Sequence, residues 1–500
     1  MCTGILYPYL YITKIKMNMR FSYYIFILFL FFKVNVFASP DKKLMNDESC
    51  PQFHFSLSTP HLSDQNSLVY SEGVYHLFYR NNDLKKGNKN WKHSVSRDLL
   101  HWDSSPLEAV PGESIGTKDS CIKFSGSVIV DKNNITGLRE GDSPVFICFY
   151  TDNKFCQKMA YSTDDGCTWE KYDTDPLIPY RFEENAENPK VFWYKPGNKY
   201  IMLISRKPDG DENLKGVSIY SSLDLLKWKY ESHLPLDVRN PDLFCLPVND
   251  SKTENRWIMT GYDGSYFIGE FDGHIFTPKF LRNRLDYGTD YFYPMVCDGL
   301  PENDGRIIQI GWINGGRDPK AYYNSQMAFP CELSLKKVDD KIKLIRKPIS
   351  EISLLNKKES KFENKNVIPG LNKNILRGIK GDCLHIKGTF DIKTANTFAL
   401  YLKYSSNKAG IDINYDIKGK KINCFNREVT LSPEDGKIKL EILLDRTSVE
   451  VFFNDGEIVI TKGMVPDSES NGLYLYNTGG ELFIDNLQIN SIRSVYDKKK

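Results

Sequence analysis

An excess of charge of one sign is absent from this 500-residue chain. Its 66 Lys and Arg stand against 64 Asp and Glu, a formal net charge of +2. A protein that neutralises nucleic-acid phosphates carries a basic excess or stripe. Only short runs such as Lys498–Lys500 occur, which argues against nucleic acid as a partner. No apolar run approaches the roughly 20 residues that a membrane-spanning helix needs. Long helical periodicity is almost absent. There is no GxGxxG, no P-loop and no nucleophile elbow. The 11 Cys and 8 His are neither clustered nor arranged as paired CxxC ligands, so no metal and no cofactor are expected. A hydrophobic fraction of 41% and a charged fraction of 26% are those of an ordinary globular chain, neither disordered nor collagen-like.

The longest apolar run is Tyr23–Phe32, preceded by Arg20 and followed by Val36-Phe37-Ala38. A charged start, a short apolar stretch and small residues at a cleavage position describe a secretory signal peptide. Residues 1–38 are therefore expected to be a leader, with Met17 and Met19 as alternative starts. The mature protein is expected to be secreted, without a permanent membrane anchor. Secretion permits disulfides, but a chain of this size does not need them, and buried cysteines also serve as small hydrophobes. Asn134-Ile135-Thr136 and Asn249-Asp250-Ser251 are compatible with glycosylated surface loops.

What the chain has in abundance is aromatics, 13% of it, including 29 Tyr and 29 Phe. These suit pleated surfaces. Short apolar or alternating runs recur between Gly, Asn and Asp, among them Val74–Tyr79, Val145–Tyr150, Lys190–Tyr194, Tyr200–Ile204 and Ile307–Trp312. This rhythm predicts an all-β architecture. A repeat of the form S-x-D-x-x-x-W appears at Ser96–Trp102 and Ser222–Trp228, and with one inserted residue at Ser162–Trp169. It reads as a turn whose Asp binds backbone amides while its Trp packs between sheets. A spacing of roughly 60 residues fits four-stranded blades, hence a β-propeller of about five packets. Residues 50–345 are assigned to the propeller. The Lys-, Asn- and Glu-rich stretch 346–375 reads as a linker with one helical turn. Strands resume over 376–495 with the rhythm of a β-sandwich, and Asn454-Asp455-Gly456 is a turn signal.

The ordered segments His54-Phe55, LVYSEGVYHLFY (68–79), WKHSVSRDLLHW (91–102), FSGS (124–127), PKVFW (189–193), PDLF (241–244), DYGTD (286–290), ELSL (332–335) and LDRTSVEVF (444–452) resemble glycoside hydrolase family 32. That is the invertase, β-fructofuranosidase and fructanase family, and the likeness runs from about His54 to Ile492. It implies a five-bladed β-propeller that carries the active site, followed by a C-terminal β-sandwich. It also implies retaining hydrolysis of sucrose or fructans by two carboxylates, a nucleophile and an acid/base, with a third carboxylate supporting the charged transition state.

Position by position, the resemblance puts Asp64 at the nucleophile, in His61-Leu62-Ser63-Asp64-Gln65-Asn66-Ser67. Asn66 is kept. His61 stands in place of a tryptophan and Ser67 in place of a glycine. The transition-state aspartate is replaced by Asn188 in Glu187-Asn188-Pro189-Lys190-Val191, and the acid/base glutamate by Arg239 in Arg239-Asn240-Pro241-Asp242. An amide carries no charge to offset an oxocarbenium ion. An arginine stays protonated and cannot act as the general acid. It could instead pair with Asp64 and silence it. Glu187 is adjacent to Asn188, but strand alternation would turn it to the opposite face. Phe124, Ser125, Asp290 and Trp312 keep positions of sugar contact.

The expected function is a secreted β-fructofuranosidase-like protein with turnover impaired or lost, a carbohydrate-binding pseudoenzyme whose ligand is sucrose, a fructan or another carbohydrate. Two alternatives stand beside it. One is an active retaining fructosidase with Asp64 as nucleophile and another acid, for which Glu183 and Glu184 are candidates. The other is a non-enzymatic protein-interaction module.

Overall fold

A computed structural model describes residues 48–56, 62–83, 88–108, 126–152, 154–172, 177–179, 185–207, 215–316, 326–370, 374–405, 410–467 and 469–497; side chains at 62–66, 81–83, 88–90 and 104–108 are not described. The expected leader lies outside these residues, as do Glu183 and Glu184.

Five antiparallel packets follow one another as blades. Their innermost strands are Leu62–Ser71, Gly126–Asp131, Ala186–Tyr194, Asp242–Pro247 and Tyr291–Asp298. In the first four blades the strands pair outward in chain order. The inner strands of the first and fifth blades also pair in parallel, Leu68 with Cys297 and Val69 with Asp298, which closes the ring. The preceding segment lies along the fifth blade, where Phe55 O accepts from Met327 N.

The repeated turns explain how neighbouring blades hold together. In the first, Asp98 Oδ1 accepts from the N–H of Leu100 and His101, and Trp102 Nε1 donates to Leu99 O. In the third blade Asp224 Oδ1 accepts from Leu226 and Lys227, and Trp228 Nε1 donates to Leu225 O. Leu99 and Leu225 both take left-handed φ, 62° and 63°. In the second blade the inserted residue makes that position Gly166, whose carbonyl accepts from Trp169 Nε1. Each indole then meets an aromatic ring outside its own blade edge-on: Trp102 with Phe55, Trp169 with Phe78 and Trp228 with Phe149, all at 5.5–5.7 Å. The motif is a blade-to-blade clamp.

A six-stranded and a five-stranded antiparallel sheet form the sandwich, with Phe390, Phe398, Tyr415 and Ile442 among the residues buried between them. The stretch 346–375 is not a linker. It holds the end of the last propeller strand (Lys341–Pro348), a short 3-10 turn (Ser350–Leu355) and the strand Asn356–Val367. That strand pairs only on one side, with Leu482–Ile492, and most of it faces solvent. A charged edge strand resists further pairing and reads as loop composition, which is why its pattern misled. The Asn454-Asp455-Gly456 turn forms as expected, with all three φ positive. A Cβ on Gly456 would sit 2.0 Å from Arg346 O.

Propeller and sandwich share a core in which Leu443, Phe452 and Val459 pack with Phe53, Phe329 and Ile349. Inside it lies a buried polar network. His54 Nδ1 meets Asp445 Oδ2 at 2.8 Å and His54 Nε2 meets Glu450 Oε1 at 3.0 Å. Arg346 Nη2 lies 3.0 Å from Asp286 Oδ2 and 3.2 Å from Glu450 Oε2. Among the described residues, Cys148, Cys156, Cys245, Cys297, Cys331, Cys383 and Cys424 are free thiols.

Candidate active site

The five inner strands start at one end of the propeller axis, and a small cleft opens there. Gly126, Asn188, Asn240, Asp242 and Tyr293 are among the residues that line it. Gly126 is obligatory: a Cβ would lie 2.0 Å from Phe149 O.

Asn188 and Asn240 form a pair that the sequence analysis missed. Each precedes a proline, and each has left-handed φ, 60° and 48°, a region Asn tolerates better than most residues. Asn188 Nδ2 donates to Asn240 Oδ1 at 3.1 Å, and Asn240 N donates to Ser205 Oγ. The twin Asn-Pro dipeptides were the available signal. Strand register slips beside Asn188, between the Leu203–Lys190 and Ser205–Glu187 pairs. Simple alternation therefore does not govern Glu187. Its carboxyl is half-buried, and burial raises its pKa against the pull of the Lys207 and Arg239 charges.

Arg239 is partly exposed. Its guanidinium carbon lies 5.8 Å from the Tyr262 ring centre, within cation–π range, and its carbonyl accepts from Tyr262 N. From Tyr262 an aromatic row continues to Tyr293 at 5.7 Å and on to Trp312 at 5.9 Å. Trp312 is 9% exposed, and its Nε1–H has no partner among the described residues. A buried indole donor normally finds an acceptor, so a ligand hydroxyl fits there.

The cleft floor is an ion cluster. Lys190 Nζ lies 2.5 Å from Asp298 Oδ2 and 3.5 Å from Asp242 Oδ1. Asp242 also accepts from the N–H of Leu243 and Val296. Burial favours neutral Lys190, but the two carboxylates outweigh it and hold the ammonium charged.

Asp64 and Asn66 lie on the inner strand of the first blade, where the pairing register shifts twice between Leu62 and Ser67. Their side chains are outside the described set, and so is the expected Asp64–Arg239 ion pair. His61, Phe124 and Ser125 are also outside the described residues. Asp290, expected as a sugar contact, is engaged by groups of the protein itself. Its Oδ1 accepts from Thr289 Oγ1, its Oδ2 accepts from Gly463 N at 3.0 Å and meets Lys462 Nζ at 2.9 Å. It is 6% exposed and ties the propeller to the sandwich.

Comparison with known proteins covers both domains. The model of the Glycosyl hydrolases family 32 N-terminal domain matches residues 54–348, and that of the family 32 C terminal matches residues 351–491. A levanase of Bacillus subtilis (strain 168) is 32% identical, over 91% of this chain and 72% of its own length. The extracellular exo-inulinase of Aspergillus awamori is 30% identical, over 86% of this chain and 92% of its own. The crystal structure of exo-inulinase from that fungus superposes with a TM-score of 0.78 at 28% identity, covering 90% of this chain and 99% of that one. A fructofuranosidase from Schwanniomyces occidentalis, complexed with fructose, has a TM-score of 0.76 at 21% identity over 91% and 100%, a likeness of fold. Propeller and sandwich, in this order and matched through nearly their whole length, make this chain a member of glycoside hydrolase family 32.

Proposed function

We propose that this chain is a secreted β-fructofuranosidase-like protein that binds sucrose or a fructan at the propeller axis and turns it over weakly or not at all. One observation carries the reading. Among the described residues lining the cleft, the single carboxylate is Asp242, and it is engaged by Lys190 and two backbone amides. The positions aligned with the acid/base and the transition-state carboxylate carry the Arg239 guanidinium and the Asn188 amide instead. Loss of a general acid alone removes roughly 10²- to 10⁴-fold in rate, and a fixed positive charge opposes an oxocarbenium ion. Binding has separate support in the Tyr262, Tyr293 and Trp312 row and the open Trp312 donor. The levanase and exo-inulinase relatives, the latter described as extracellular, agree with a fructan ligand and with secretion.

Asn188→Asp with Arg239→Glu tests this directly. The Asn240 amide accepts an Asp at 188 by turning over to present its Nδ2. The double variant should gain hydrolysis of sucrose or inulin by about 10²-fold or more over the natural chain. No gain in either single variant or in the double places the defect elsewhere, with His61 next.

A second reading has its own observation. Glu187 lies beside the register slip, and burial biases it toward the protonated form. In this reading it supplies the acid for an active enzyme, and Glu187→Gln abolishes a measurable basal rate.

A further inference from the structure

The opposite end of the propeller channel holds a larger opening. A cavity of about 750 Å³ lies where the inner strands end, lined by Trp193, Trp257, Tyr200, Phe192, Asn133 and Asn255 among others. Five residues of strand, at about 3.3 Å each, separate Asn188 from Trp193. The Lys190–Asp242–Asp298 cluster stands between the two ends, with Lys190 and Asp242 lining the cleft and Asp298 lining the cavity. The cavity is therefore distinct from the catalytic positions.

We propose that this cavity is a second carbohydrate site, one that holds a neutral oligosaccharide against Trp193 and Trp257. Its volume falls within the roughly 300–1,000 Å³ of small-molecule sites. Trp193 is 43% exposed, and the edge-on Tyr200 ring at 4.8 Å holds its indole. An ordered, half-exposed indole offers a flat face to the C–H side of a sugar ring. The side-chain amides of Asn133 and Asn255 have no partner among the described residues and suit hydroxyls on the ring's edge.

Charge decides against other ligand classes. The cations of the wall are already engaged: Lys132 Nζ donates to Gly299 O at 3.0 Å, Lys195 Nζ lies 2.5 Å from Glu302 Oε1, and Arg306 holds Asp304 and Glu351. An anion would have to displace these partners. An acyl chain would leave the same charged wall against hydrocarbon, which is costly. A neutral polyhydroxylated ligand meets neither obstacle. The site needs no chemistry in the cleft, so it stands whether or not the protein turns over its substrate; only the choice of fructans as first probes rests on the proposed function.

Native gels cast with inulin, levan, soluble starch or xylan test the proposal on the full mature chain. The natural protein and Asp64→Ala should be retarded alike by at least one glycan. Trp193→Ala should weaken that retardation about tenfold or more, matching roughly 1.4 kcal/mol or above, and Trp193→Phe should recover most of it. Trp193→Ala should leave sucrose or inulin hydrolysis, at whatever level exists, unchanged. Asn255→Ala, on the exposed rim, is the second variant should Trp193→Ala lower the melting temperature. Retardation by none of the four, or retardation indifferent to both cavity variants, overturns the proposal. Retardation by starch or xylan alone upholds the cavity and counts against the fructan reading of the cleft.

Discussion

Asn188 and Arg239 illustrate how far a single position can be read without coordinates. The family resemblance aligns them with catalytic positions in Asn188-Pro189-Lys190-Val191 and Arg239-Asn240-Pro241-Asp242, and residue type alone says that an amide carries no charge and a guanidinium keeps its protons. Their surroundings follow from neither. The Asn188–Asn240 hydrogen bond links two blades and depends on paired left-handed backbones, which no local pattern announces. Asp290 has surroundings its motif did not announce. Its motif suggested a sugar contact, whereas Gly463 and Lys462 of the sandwich take up its carboxylate, a contact 173 residues away in the chain. Asp98, by contrast, does what its repeat implied. Its carboxylate binds the Leu100 and His101 amides and the His101 ring, which overcome burial and hold its pKa well below the usual range. Asp98→Ala should lower stability by about 1–3 kcal/mol, the worth of two or three such bonds, read as a drop in the chemical-denaturation midpoint. An unchanged midpoint would mean that the turn is not a clamp.

Elements were legible where apolar residues alternate or run continuously, and obscure where polar residues dominate. The inner and middle strands of most blades, such as Val145–Thr151 with every residue buried, carry continuous apolar runs. The outer strands Glu170–Lys171 and Lys229–Leu234, and the sandwich edge Asn356–Val367, are largely solvated. Their polar sequences match loops because one face, or one edge, has nothing to bury. The inner strands also carry a buried element that polar composition hid. Lys190 sits between Asp242 and Asp298 from two other blades and lies in the axis itself. Lys190→Met should cost about 3–5 kcal/mol, because it leaves two neighbouring buried carboxylates without their cation. Adding Asp298→Asn to Lys190→Met should recover part of that loss. Additive losses in the double variant would deny the coupling.

At the scale of the whole molecule, the two domains meet through titratable groups. His54 comes from the first segment of the family likeness, Asp445 and Glu450 from its last. Burial alone would lower the His54 pKa, but the Asp445 and Glu450 carboxylates raise it to about 9. A raised histidine stabilises the fold fully below its unfolded value of about 6.5, and that contribution fades as pH rises through about 9. The sign reverses for His76 and His93, stacked 3.0 Å apart at their ring nitrogens. Burial lowers both, His76 to about 4, so folding resists their protonation and stability declines as pH falls below about 6.5. Thermal stability should therefore peak near pH 6.5. His54→Gln should flatten the alkaline limb while leaving the acid limb in place. An alkaline limb that survives the substitution would assign it to other groups. The order of motifs along the chain made this architecture predictable; the interdomain network required both ends of the chain to be seen together.

The most direct test of the central claim is the release of glucose and fructose from sucrose, inulin and levan by the purified mature chain, beside an Asp64→Ala control. The account predicts release indistinguishable from the control, or lower than the Asn188→Asp, Arg239→Glu variant by about 10²-fold or more. Robust release by the natural chain that disappears in the control would contradict it, and would make Arg239 compatible with catalysis by another acid.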